Sequence, residues 1–103
     1  ELVTVLANLI DNAIEACEEI SEPEKRHILL KFKVKDEAAF LYIENSTAEP
    51  VRVRNNVVQT TKDNAAGHGF GLQNVAAVLA RHGGIYAISY DAAKKLFIFS
   101  AQI

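Results

Sequence analysis

The sequence predicts a two-layer α/β sandwich, with helices packed on one face of a mixed, mainly antiparallel sheet. Three observations predict it. Apolar residues recur at helical spacing over residues 1–20. A second helical pattern runs from about Gly69 to His82 and meets Gly83-Gly84, a helix stop. After each helix come two segments rich in branched and aromatic residues. The order is therefore helix, two strands, long loop, helix, two strands.

The first helix is amphipathic. At 100° per residue, Leu2, Leu6, Leu9, Ile10, Ala13, Cys17 and Ile20 share one side. Glu1, Thr4, Asn8, Asp11, Asn12, Glu15 and Glu19 share the other. Ser21-Glu22-Pro23 ends it, because the residue before a proline is pushed out of the helical region. His27 to Val34 and Ala38 to Glu44 read as strands, with Asp36-Glu37 as the turn of a hairpin. From Asn45 to His68 the chain is polar, and Val51 to Val58 reads equally as a short strand or a turn of helix. A connection of this length in a compact domain is usually functional, and its few apolar anchors predict a mobile lid. The second helix offers Phe70, Val75, Val78 and Leu79 to the core. Ile85 to Tyr90 and Leu96 to Ile103 are the closing strands.

Composition narrows the function. The chain has 103 residues, room for one domain, and no internal repeat or linker. Its formal charge is −2, from 11 basic and 13 acidic residues, which gives no electrostatic reason for a nucleic-acid partner. Its one cysteine, Cys17, cannot form an intrachain disulfide, lies on the apolar helix face and points to a reducing compartment. No apolar run approaches the roughly 20 residues that span a bilayer. The chain opens inside a helical pattern, so it reads as a domain of a longer protein, and a membrane-anchored parent is compatible with it.

Two constellations carry chemistry. In NLIDNAIEA, Asn8 and Asn12 stack one turn apart on one helix face. Such a pair reads either as a solvated polar face or as a site. Asparagine is a poor helix-interior residue, and Lys, Glu or Gln would serve solvent better. A neutral amide oxygen suits a hard cation such as Mg²⁺ whose other ligands are phosphates and water. In GHGFGL, Gly67, Gly69 and Gly71 lead directly into a helix. Glycines let backbone N–H groups approach an anion at a helix start, though a simple hinge is the plainer use. Lys62 could add a phosphate charge or remain a solvated lysine, and His68 could meet a phosphate or face solvent. His27 and His82 have no carboxylate or cysteine at metal-ligand spacing.

Taken together and in this order, NLIDNAIEA resembles the N-box, and TTKDNAAGHGFGL the second glycine box, of the gyrase, Hsp90 and histidine-kinase ATPase superfamily. The sequence is most similar to the catalytic ATP-binding domains of bacterial sensor histidine kinases, in the branch of quorum-sensing and citrate-type sensors. The resemblance covers nearly the whole chain. It implies the Bergerat-type ATP-binding fold, with ATP and Mg²⁺ as ligands. Asn12 matches the magnesium-ligating asparagine, and Asn8 the polar position one turn earlier. Gly67, Gly69 and Gly71, with Lys62, His68 and Leu72 around them, match the phosphate side of the pocket, and the long loop matches the lid. Asn45, at the end of LYIEN, stands where the family usually carries an aspartate that receives the adenine amino group. The DxGxG pattern is absent there, and the chain reads Asn45-Ser46-Thr47-Ala48-Glu49-Pro50. An asparagine oxygen still accepts a hydrogen bond from an amino group.

The resemblance implies a histidine kinase catalytic domain spanning residues 1–103. It would pass the γ-phosphate to a histidine on a separate dimerisation domain and, through it, to a response regulator. Gyrase-like members carry a glutamate base where this chain has Asn8, and an amide takes no proton near neutral pH. That favours transfer to histidine over hydrolysis. None of His27, His68 and His82 lies in a helical phosphoacceptor motif, so the domain alone should not phosphorylate itself. Two alternatives stay open: a degenerate interaction module that has lost nucleotide binding and phosphotransfer, and a gyrase-type hydrolase. The expected place of work is the cytoplasm, with no membrane contact by this domain.

Overall fold

The computed structural model describes residues 2–59 and 69–103. The segment 60–68, with Lys62, Gly67 and His68, lies outside the described residues, as do the side chains of Leu2, Phe70 and Gln73.

Two helices lie on a four-stranded sheet. Helix α1 spans Leu2–Glu18. A single 3₁₀ turn at Pro23–Lys25 leads to β1 (Ile28–Lys35) and β2 (Ala38–Ser46). Two very short strands follow, β3 (Val53–Arg54) and β4 (Val57–Val58). Then come α2 (Gly69–Arg81), β5 (Ile85–Asp91) and β6 (Leu96–Gln102). The sheet order is β1-β2-β6-β5, and β3 pairs with β4 separately. All three pairings of the four-stranded sheet are antiparallel, where the sequence predicts a mixed, mainly antiparallel one. Both long hairpins join neighbours directly, so no parallel crossover is needed. Among the described residues no helix is long and apolar enough to cross a membrane.

The turns explain the register. Asp36 and Glu37 both hold positive φ, 53° and 68°, as the type I′ turn of a two-residue hairpin requires. That turn pairs Lys35 with Ala38 and places Ile28, Leu30, Phe32 and Val34 on the same sheet face as Asn45, Ile43, Leu41 and Ala39. Helix α2 ends in a Schellman motif: Gly84 N–H donates to Leu79 O at 2.8 Å and Gly83 N–H to Ala80 O at 3.3 Å. Gly83 holds φ 71°, the left-handed conformation that glycine adopts without strain.

The core lies between the layers. Val5, Leu9 and Ala13 of α1 meet Val75, Val78 and Leu79 of α2, Leu41 and Ile43 of β2, and Phe99 and Ala101 of β6. Tyr86 stacks on Phe99 with ring centroids 5.9 Å apart. The first helix faces the core along Val5, Leu9, Ala13, Cys17 and Ile20. Ile10, expected inside, is 38 % exposed, and Val5 takes a core place that the helical wheel did not give it. The wheel places Ile10 at the margin of the apolar stripe. Helix α1 packs on β2 and α2 but leaves its other flank open, so that margin faces solvent.

Candidate functional site

A cleft opens beside α1, where the helix layer parts over the ends of β2 and β6. Asn12, Ala16 and Glu19 line it from α1, Asn45 from β2 and Phe97 from β6. Leu72 lines it from the first turns of α2, and residues 47–52 with Val58 and Gln59 close the outer side. Asn45 and Phe97 are register partners and share the helix-facing side of the sheet. The two sequence motifs therefore reach one cleft: Asn12 from NLIDNAIEA and Leu72 from GHGFGL. Gly69 and Gly71 belong to the first turn of α2, next to Leu72.

Asn12 has an unusual environment. Its Nδ2 is buried and has no hydrogen-bond partner among the described residues. A buried amide donor without a partner costs about 1–3 kcal/mol, so such groups call for an explanation. The helix places it there: Leu9 and Ala13 are drawn into the core, and Asn12 is carried to the cleft-side margin. A bound anion oxygen would accept the Nδ2 proton, and a half-turn of the amide would offer Oδ1 to a cation. Either way the residue fits a magnesium-phosphate ligand better than it fits an empty pocket. Asn8 sits one turn earlier, half-buried, and is not among the residues that line the cleft.

Asn45 is held rigidly. It is 5 % exposed, and its Nδ2 donates to Ser46 O at 3.1 Å. That bond uses one of the two Nδ2 protons and fixes which end of the amide is which, so Oδ1 is the acceptor that a ligand would meet. The strand end is fixed by its neighbour. Ser46 N–H donates to His27 O at 2.9 Å, and Ser46 Oγ accepts from His27 N–H at 2.8 Å. Cys17 comes from α1 to the same place, with Sγ 3.6 Å from His27 O and 3.7 Å from Ser46 Oγ. Cys17 is thus core, as its position on the apolar face predicts, and it ties α1 to the strand end that bears Asn45. Thr47 is pinned in turn, its N–H donating to Lys95 O at 3.2 Å and its Oγ1 lying 3.3 Å from Tyr90 OH.

A second polar cluster lies on the far sheet face. Glu44 accepts Tyr42 OH at 2.6 Å and pairs with His27 Nε2 at 2.8 Å. The Tyr42 hydrogen bond, helped by His27, holds the Glu44 carboxyl below its ordinary range, and the same bond raises Tyr42. His27 therefore serves the sheet, and neither it nor His82 lines the cleft.

Sequence reasoning missed the outer wall. Val51, Arg52, Val58 and Gln59 line the cleft from a hairpin that the sequence left undecided between strand and helix. The available signal was Asn55-Asn56, whose residues hold φ 52° and 63° in a type I′ turn.

One family model, described as GHKL domain, matches residues 1–103. No curated protein matches the chain. The match supports a general ATP-using activity, the observed fold is consistent with it, and the chain belongs to the GHKL domain family.

Proposed function

We propose that this domain binds Mg-ATP in the cleft and presents the γ-phosphate to a histidine on a separate dimerisation domain, as the catalytic domain of a sensor histidine kinase. The observation that carries the reading is the buried amide of Asn12 on the cleft wall, whose Nδ2 has no partner among the described residues. Bound Mg²⁺ would supply charge neutralisation for the phosphates. Asn12 would hold the metal, and Asn45 Oδ1 would accept from the adenine amino group. Phe97, Val51, Val58 and Leu72 offer apolar surface for the base. Gly67, Gly69 and Gly71, with Lys62 and His68, are proposed for the phosphate side.

Asn8 supports transfer over hydrolysis, since no proton acceptor stands one turn before Asn12. A phosphoryl acceptor is sought elsewhere because His27 is engaged with Glu44 on the far face of the sheet. A response regulator would then take the phosphate from that acceptor. A module that has lost nucleotide binding would have no use for an orphaned amide in its cleft, which weighs against that alternative.

Thermal melting with Mg-ADP and a non-hydrolysable ATP analogue tests the reading. Ligand at about 100 times its dissociation constant adds roughly 2.7 kcal/mol. The expected result is a rise of several degrees that shrinks in Asn12→Ala. No shift at millimolar nucleotide refutes nucleotide binding here. Steady phosphate release by the domain alone, abolished in Asn8→Ala, would favour the hydrolase.

A further inference from the structure

Residues 51–59 stand at the sheet edge as a small hairpin. Its two strands are two residues each, paired Val53 to Val58 and Arg54 to Val57, and Gln59 N–H closes it on Arg52 O at 2.8 Å. A ladder this short does not hold its own position. Among the described residues, both hydrogen bonds between this hairpin and the four-stranded sheet come from Asn56. Its Nδ2 donates to Tyr86 O at 2.9 Å, and its Oδ1 accepts from Ile88 N–H at 2.6 Å. Those two groups fix which end of the amide is which.

Tyr86 and Ile88 lie on β5, the outermost strand of the sheet order. Their side chains pack on the core, and the groups that Asn56 engages lie along the strand's open edge. One side-chain amide thus pairs with β5 as the backbone of a further strand would. The left-handed turn at Asn55-Asn56 presents it. Asn56 does not line the cleft, whereas Arg52, on the far end of the hairpin, does. Arg52 is the one cation among the described residues lining the cleft, beside the carboxylates Glu19 and Glu49, and its guanidinium is the group there that can pair with a phosphate.

We propose that Asn56 is a positioning residue of the cleft: its clasp on β5 holds the outer wall, and with it Arg52, against a bound nucleotide. This rests on the nucleotide reading above and extends it to a residue outside both sequence motifs.

The test is calorimetric titration of Mg-ADP into the wild-type chain, Asn56→Gly and Asn55→Gly. Glycine keeps the positive φ of either position, so Asn56→Gly deletes the clasp and spares the turn. Losing both hydrogen bonds is expected to weaken binding about tenfold. Hydrogen exchange at Ile88 and Gln59 N–H should accelerate in step. Asn55→Gly leaves both unchanged. Asn56→Asp, which keeps the acceptor for Ile88 and loses the donor to Tyr86, falls between.

A double-mutant cycle with Arg52→Gln separates positioning from general stability. If the clasp acts through Arg52, the double variant binds no more weakly than the weaker single one. Equal affinity in Asn56→Gly and wild type, or losses that simply add, overturn the proposal while the nucleotide reading stands. A wild-type chain that binds no Mg-ADP removes both.

Discussion

Asn12 shows how a single residue can trade stability for a site. Its buried Nδ2 lacks a partner among the described residues, and asparagine is a weak helix former in the middle of α1. Both effects destabilise the empty domain. Asn12→Ala removes the orphaned donor and raises helix propensity, so it is expected to stabilise the ligand-free chain by about 1 kcal/mol. Urea midpoints of the two proteins measure this. A variant less stable than wild type would mean that the amide has a structural partner. Tyr42 makes a different kind of prediction. Its hydroxyl lowers the Glu44 carboxyl, so the pair stabilises the fold above the ordinary glutamate value of about 4.3 and loses that effect as pH falls through the lowered one. Tyr42→Phe should therefore be less stable than wild type near neutrality and converge with it in acid. A gap that persists unchanged down to pH 2 would rule out the carboxylate as its source.

At the scale of elements, turn chemistry decides what a sequence reveals. Gly83-Gly84 announces the end of α2, and the Schellman bonds sit where those glycines predict. Asp36-Glu37 is read as a turn because strand-forming runs flank it, though Glu37 is ill suited to the left-handed conformation it adopts. A side chain in the left-handed region costs about 1–2 kcal/mol, and Asp bears this better than Glu. Glu37→Gly is thus expected to stabilise the domain by up to about 1 kcal/mol after glycine's own entropy cost. Chemical denaturation checks this, and a loss of stability would show that Glu37 makes a contact worth more than the strain. Asn55-Asn56 hides for the same reason: it forms a primed turn without glycine, between strands too short for any period to register. The clasp is less legible still, because it joins residues 30 and 32 positions apart. Asn12 and Leu72 were found by motif, but the wall opposite them exists only once the hairpin is docked.

Across the whole molecule, the two-helix layer covers only part of the sheet. Helix α1 packs on β2, and α2 on β5, so the helix-side face of β1 is left over. His27 to Val34 was legible as a strand, and the register puts Ile28, Leu30, Phe32 and Val34 on one face. Which part of that face a helix would cover was not legible, since periodicity assigns a side chain to a face and not to a neighbour. Leu30 is 40 % exposed, Phe32 43 % and Val34 66 %, and Ile10 and Ile14 of α1 are open too. A contiguous apolar strip of this kind is uncommon on a monomer surface. The isolated 103-residue chain is therefore expected to bind a hydrophobic dye such as anilinonaphthalene sulfonate in its native state. Leu30→Thr with Phe32→Thr should abolish most of that signal, because threonine keeps the β preference and removes apolar area. Both side chains are already half in water, so the double variant should melt within a few degrees of wild type, unlike a core truncation such as Phe99→Ala, which costs about 3–5 kcal/mol. Dye binding that survives the double variant would place the sticky surface elsewhere, and no binding by wild type would show that the strip is too narrow to matter.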